Sequence, residues 1–244
     1  MNDTKETKEL YKKESIAKSF DLNREKYAHQ EYKHKTEANL IQKTLKKIPS
    51  KEIKILDVAC GTGRMLSEVF KVNKNIHYFG LDTSKEMTNV LKKKALKLGK
   101  EKLVKIKFGN ANKIPFKDNA FDLVFTYHLL WHLEKKDQEK IISEMIRVTK
   151  KNGFIIFDAL NENFIWEKIK ILFGKNSKGL NKLNLHTTKL FLMNNQIRKI
   201  EFIEKLSDAR INSNFWYSIF NIINKIRSFL PTSFYHMFYI VGKK

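Results

Sequence analysis

An apolar run at residues 53–59 leads into Cys60-Gly61-Thr62-Gly63, and Asp82 closes a second apolar run nineteen residues beyond Gly63. Glycines in such a turn let the backbone bend tightly and admit a ligand to van der Waals contact, because no Cβ stands in the way. The helix expected after Gly63 offers backbone amides that have no intrahelical partner. A carboxylate at the end of the next strand suits the two hydroxyls of a ribose. Turn, helix and acid together describe a site for a nucleoside-containing cofactor. A dinucleotide fingerprint would place a third glycine at position 66, where the chain has Leu66, and more usually an apolar residue where Asp57 stands. An acid there suits a cationic cofactor better than a pyrophosphate.

A second group of chemistry-bearing residues follows the fourth apolar run. Tyr127 and His128 stand at the mouth of the same expected site, and His132 lies four positions on. Histidines at that spacing share a helical face and match a metal-ligand spacing. No third ligand is evident in the sequence, so no metal is expected. His128 is a candidate general base, His186 is a second, and Tyr127 is expected to line the cofactor pocket. The single cysteine, Cys60, excludes an intramolecular disulfide and any multi-cysteine zinc site, and is expected to be a small buried residue.

These groups need a frame. Residues 4–48 read as one or two helices rich in Lys and Glu, ended by Pro49. Beyond them, short apolar runs at 53–59, 76–81, 104–108, 121–126 and 154–160 alternate with amphipathic stretches, as strands alternate with helices. One helix is expected from about Arg64 to Val72. A second is capped by Ser84 and stopped at Gly99, and a third is capped by Asp137 and ended by a turn at Asn152-Gly153. Strands joined in this way imply a parallel, doubly wound sheet with right-handed crossovers. Past residue 160 the rhythm breaks. Residues 164–173 and 187–197 read as helices, 174–184 as a loop, and 199–206 and 234–241 as strands.

The segment Asp57-Val58-Ala59-Cys60-Gly61-Thr62-Gly63 resembles motif I of the class I methyltransferases that use S-adenosylmethionine (SAM). Gly80-Leu81-Asp82-Thr83-Ser84-Lys85-Glu86-Met87 resembles their second-strand motif, and Gly109-Asn110-Ala111-Asn112-Lys113-Ile114-Pro115-Phe116 their adenine-contact loop. Phe121-Asp122-Leu123-Val124 and Arg147-Val148-Thr149-Lys150-Lys151-Asn152-Gly153 match in order and spacing. The resemblance covers residues 50–160 and is nearest to the subgroup that methylates small molecules. It implies an α/β, Rossmann-like, doubly wound sheet of seven strands, mostly parallel with an antiparallel C-terminal strand. Asp57 would then sit near the methionyl end, with Ala59, Gly61 and Gly63 lining the turn. Asp82 and Thr83 would meet the ribose, Met87 would pack near the adenine, and Asn110 with Ala111 would hold its edge. The family more often has Asp where Asn110 stands, and Asn can still accept from an amino group.

At 244 residues the chain suits one such domain, with 1–50 as an N-terminal helical cap, 51–160 as the SAM-binding core and 161–244 as the substrate side. Phe20, Arg24 and Tyr27 are spaced for one helical face that either covers the cofactor or packs on the sheet. Apolar residues at 215, 219, 222, 226 and 229 repeat at helical spacing, which fits a core stripe, a substrate lid or a membrane-surface helix. The polar N-terminus and the absence of an 18-residue apolar run lead us to expect a cytoplasmic protein, with peripheral membrane contact as an extension.

The expected reaction is methyl transfer to an O or N atom of a small, sugar-linked or lipid-linked acceptor. The net charge of +22 motivates an alternative, a tRNA or rRNA methyltransferase with a nucleic-acid partner. Against that, lysines are spread along the chain and Thr126-Tyr127-His128-Leu129 is no base-flipping motif; compositional drift is the preferred account of the charge. A non-catalytic SAM-binding protein is the third reading. Oligomeric state is not readable from the sequence.

Overall fold

The computed structural model describes residues 28–165, 172, 180–206 and 237–244. In chain order they form α1 (Ala28–Lys47), β1 (Glu52–Val58), α2 (Leu66–Phe70), β2 (Asn75–Asp82), α3 (Lys85–Lys97), β3 (Val104–Phe108) and β4 (Phe121–Thr126). Then come α4 (Lys135–Val148), β5 (Thr149–Leu160), α5 (Leu185–Asn194), β6 (Lys199–Leu206) and β7 (Met237–Lys243). Short 3-10 turns lie at Ala111–Lys113 and Leu130–His132.

The strands build one sheet in the order β3-β2-β1-β4-β5-β7-β6. β1 to β5 pair in parallel, and β7 runs antiparallel to both β5 and β6. This is the seven-stranded, doubly wound α/β architecture that the sequence predicts. Strand order reverses between β1 and β4, and the crevice beyond their carboxyl ends is where such sheets bind ligands.

Side-chain alternation decides which residues reach that crevice together. Along β1, Ile53 and Ile55 join the apolar layer that includes Leu40, Ile41, Leu45 and Ile48 of α1, whereas Leu56 and Val58 face α4 and α5. Leu123 and Phe125 of β4, Ile156 of β5 and Tyr239 and Val241 of β7 also lie on the α1 side. Period-two alternation therefore brings Asp57, Tyr127, Asp158 and Tyr239 out on one face, beneath α1. Both faces of β5 are covered, so its run from Gly153 to Leu160 is buried throughout.

Local chemistry sets most helix ends as expected. Ser84 Oγ accepts from the Met87 amide at 3.2 Å and caps α3. At the other end the Gly99 amide reaches Leu96 O and the Lys100 amide reaches Ala95 O, with Gly99 at φ +62. This is the double bond pattern of a left-handed glycine stop.

Three expectations need correction. Asp137 is not the cap of α4. Glu134 holds that position, and Asp137 Oδ1 accepts from Asn112 Nδ2 at 3.0 Å, tying α4 to the loop after β3. Asn152-Gly153 is no turn between helix and strand. α4 gives way at Thr149 directly to β5, and Asn152, at φ +64, lies in an irregular stretch of that strand, where pairing to β4 jumps between Phe121 and Leu123. The helix expected from Arg64 spans only Leu66–Phe70, because the first residues after Gly63 stay in turns. The expected helix over 164–173 lies largely, and the apolar repeat at 215–229 wholly, outside the described residues, as do Phe20, Arg24 and Tyr27. Among the described residues no helix is long and apolar enough to cross a membrane.

Candidate functional site

The turn after β1 and the end of β2 are bonded into one unit. Ala59 (φ +58), Gly61 (φ +52) and Gly63 (φ +72) all adopt left-handed backbone conformations. The Gly61 amide donates to Asp82 Oδ2 at 2.8 Å, and the Ser84 amide donates to Asp82 Oδ1 at 2.8 Å. The two glycines serve different ends. A Cβ on Gly61 would meet nothing within 4 Å, whereas one on Gly63 would stand 2.7 Å from Leu91 Cγ. Gly63 thus lets α3 close on the turn, and Gly61 keeps the space above it open.

Burial raises the Asp82 carboxyl above its ordinary range, opposed by the amides of Ser84, Gly61 and Thr83. A carboxylate offers about four lone-pair directions, so three amides leave capacity for a ligand hydroxyl. Asp57 is buried beneath this turn, with the Tyr78 hydroxyl donating to its Oδ2 at 2.5 Å. Burial lifts its carboxyl to about 7, against the opposing pull of that hydroxyl and of Arg64. Met87 is buried, Ala111 half-buried, and Thr83 and Asn110 exposed. Asn110 Oδ1 accepts from the Asn112 amide at 2.9 Å, so it caps the 3-10 turn that follows.

A second cluster stands beside the first, over the ends of β4 and β5. The Tyr127 hydroxyl donates to the backbone carbonyl of Glu37 at 3.2 Å. His128, at φ +62, donates its amide to Asp158 Oδ1 at 2.9 Å, and its ring Nε2 lies 2.7 Å from Glu37 Oε1. A carboxylate on Nε2 favours the tautomer with its proton there, which makes Nδ1 the basic nitrogen. The Tyr239 hydroxyl donates to Glu37 Oε1 at 3.3 Å, and Arg64 forms an ion pair with Glu37 Oε2. Burial alone would raise the Glu37 carboxyl, but Arg64 and His128 outweigh it and hold Glu37 well below the usual carboxylate range. Asp158 goes the other way. It is buried beside Glu37 and is pushed well above the ordinary value.

Glu37, Arg64 and Asp158 were not singled out from the sequence. A weak signal existed for one of them, since Asp158 interrupts a strand that is otherwise apolar from Phe154 to Leu160. Nothing local marks Glu37 among the many charges of α1.

The two histidines four apart do not act as a pair. Residues 130–132 form a 3-10 turn rather than an α-helix, and His132 Nε2 accepts from Trp131 Nε1 at 3.0 Å. Among the described residues the potential metal ligands that do converge are Glu37, His128 and Asp158, with one donor atom each within 4.8 Å of the others. His186 is exposed on the first turn of α5, where its amide donates to Asn184 Oδ1 at 2.9 Å. That helix starts near the end of β5, through the Leu183 amide on Leu160 O, but His186 is not part of the cluster.

Residues 56–157 match the family model described as a methyltransferase domain. Ajmaline N-methyltransferase of Rauvolfia serpentina is 37% identical over 102 residues, which cover 42% of this chain and 34% of that protein. Demethylmenaquinone methyltransferase of Alkalihalophilus pseudofirmus is 33% identical over 159 residues, 64% of each chain. The matched segment spans about a third of the length of the first of these relatives. Magnesium protoporphyrin IX methyltransferase from Synechocystis, solved with bound SAH, superposes with a TM-score of 0.65 at 13% identity, covering 88% of this chain and 84% of that one. At that identity the likeness is one of fold.

Proposed function

We propose that the chain, whose residues 56–157 match a methyltransferase-domain family model and whose fold is shared with a SAH-bound methyltransferase, transfers the methyl group of SAM to an oxygen or nitrogen atom of a small acceptor. The observation that carries this reading is the bond from the Gly61 amide to Asp82, which couples an open glycine turn to an acid at the switch point of the sheet. In this role Asp82 holds the ribose hydroxyls, Gly61 and Gly63 line the chain between ribose and methionyl end, and Met87 and Ala111 flank the adenine. Asp57 beneath the turn answers the cofactor's positive charge. When bound, SAM supplies a methyl group on a sulfonium, already activated for displacement.

The protein's own task is then to align an acceptor and, for a hydroxyl or protonated amine, to take its proton. His128 is the group we assign to that step, oriented by Glu37 on Nε2 and by Asp158 on its amide. His186 is exposed on α5 and enters only if the acceptor reaches past the end of β5. A lipid-linked acceptor and peripheral membrane contact rest on the apolar spacing at 215–229, outside the described residues.

Calorimetric titration of SAM into the wild type and Asp82→Ala tests the assignment. The wild type should bind, and the variant should lose at least about tenfold in affinity, the cost of one charge-assisted hydrogen bond. Equal affinities, or no binding to the wild type, would sink it.

A further inference from the structure

The cluster around His128 has one unmet requirement. Among the described residues it contains two carboxylates, Glu37 and Asp158, both fully buried, and one guanidinium, Arg64, whose charge is spent on Glu37. Asp158 Oδ1 receives the His128 amide, while among the described residues Asp158 Oδ2 has no hydrogen-bond partner. That oxygen points back into the cluster, 3.8 Å from His128 Nε2. A buried carboxyl oxygen left unpaired is costly, so the place calls for a donor that the described residues do not supply.

The groups that face Asp158 define what can enter. Glu37 and Lys33 lie on α1, Arg64 follows β1, and Tyr239 comes from the adjoining β7. Burial, and then Glu37, raise the proton affinity of Asp158; the His128 amide, Arg64 and Lys33 lower it, and the raising influences win. The missing partner is therefore one positive charge, either a proton or a cationic ligand in its place. A metal ion is a poor candidate. Glu37 Oε1 and His128 Nε2 already bond each other, Oε2 holds Arg64, and a metal would have to break both contacts beside a guanidinium. An organic ammonium needs neither rearrangement. Aromatic rings border the cluster: buried Tyr127 and Tyr239, 6.0 Å apart, and the half-buried Trp131, whose ring lies 5.1 Å from that of His128.

On the reading above that the chain is a methyltransferase, we propose that Asp158 is the recognition group for the acceptor, and that the acceptor is a small amine bound as its ammonium with a hydrogen bond to Oδ2. The partly exposed ring of His128, 15% accessible, marks the side of the cluster that solvent reaches.

The test is calorimetry of the full-length protein with three probes: benzylamine, benzyl alcohol and zinc chloride. Benzylammonium should bind the wild type at least about tenfold more tightly than benzyl alcohol, as expected when a buried charge gains its counter-ion. Asp158→Asn keeps an oxygen for the His128 amide and puts an NH2 where Oδ2 stood, so the preference should vanish. A wild type that does not bind benzylamine, or binds the alcohol as well, overturns the proposal, as does a preference that persists in Asp158→Asn. Zinc binding that depends on Asp158 overturns it in favour of a metal site. If the variant does not fold, the amine-over-alcohol preference of the wild type decides alone. A SAM titration of the same samples fails independently, which separates this proposal from the assigned reaction.

Discussion

Glu37 and His128, 91 positions apart in the chain, meet at 2.7 Å between Oε1 and Nε2. With Arg64 on its other oxygen, Glu37 pins α1 onto the carboxyl ends of β1 and β4. Removing one partner of a buried ion pair leaves the other charge uncompensated. Glu37→Ala should therefore cost about 3 kcal/mol, read as a lower urea midpoint, and Glu37→Gln should cost less because it still bonds His128. An unchanged midpoint in Glu37→Ala would show that Arg64 finds another partner.

Gly61→Ala and Gly63→Ala should fail in different ways. Both force a side chain into a left-handed conformation, at about 1 kcal/mol for a non-glycine residue. Only Gly63→Ala also meets Leu91, at 2.7 Å. It should lose about 1–3 kcal/mol more stability through overpacking, and so show the larger drop in melting temperature. Gly61→Ala should fold nearly as well as the wild type and lose SAM affinity, because its Cβ enters open space over the turn. Melting curves and SAM titrations of both variants decide, and the reverse ranking would contradict the geometry.

Asp57 makes stability fall with rising pH. Its carboxyl titrates at about 7 in the fold against an ordinary 3.8. Between those values the folded state holds a proton that the unfolded chain has lost, so stability declines through this window and levels off above it. Asp57→Asn carries no such proton. Its stability relative to the wild type should rise from pH 4 to pH 7, at up to about 1.4 kcal/mol per pH unit. A constant difference across that range would place the Asp57 carboxyl at its ordinary value.

Ser84→Ala removes the oxygen that accepts the Met87 amide. The expected loss is about 1 kcal/mol, typical of an N-cap serine. Chemical denaturation measures it, and no change would mean that water replaces the hydroxyl fully.

Features set by neighbouring residues were legible early. Strands β3 and β4 match their expected bounds, as does β6, because short apolar runs between turn residues have few other uses. The Ser84 cap and the Gly99 stop follow from side-chain and backbone chemistry within a few positions. Asp137 misled for a physical reason. An acid three residues into a helix has the composition of a cap, yet Asn112 from another element claims its oxygen. The histidine spacing at 128 and 132 misled likewise, since i, i+4 means a shared face only in an α-helix and the chain there makes a 3-10 turn.

The sequence alone marked the kind of fold and the glycine turn with Asp82 opposite it, and its resemblance to a known family implied the cofactor. These depend on periodicity and on contacts between consecutive strands, which pattern can report. Tertiary structure decided that Glu37, Arg64, His128 and Asp158 share one buried cluster. Those residues come from a helix, two loops and a strand, and they meet because alternation on β4 and β5 turns their ends toward the same face that α1 covers. Arg64 and His128 then hold the buried Glu37 carboxyl below its ordinary range, while burial lifts that of Asp158 well above it, a property of the assembled low-dielectric site that none of the segments has by itself.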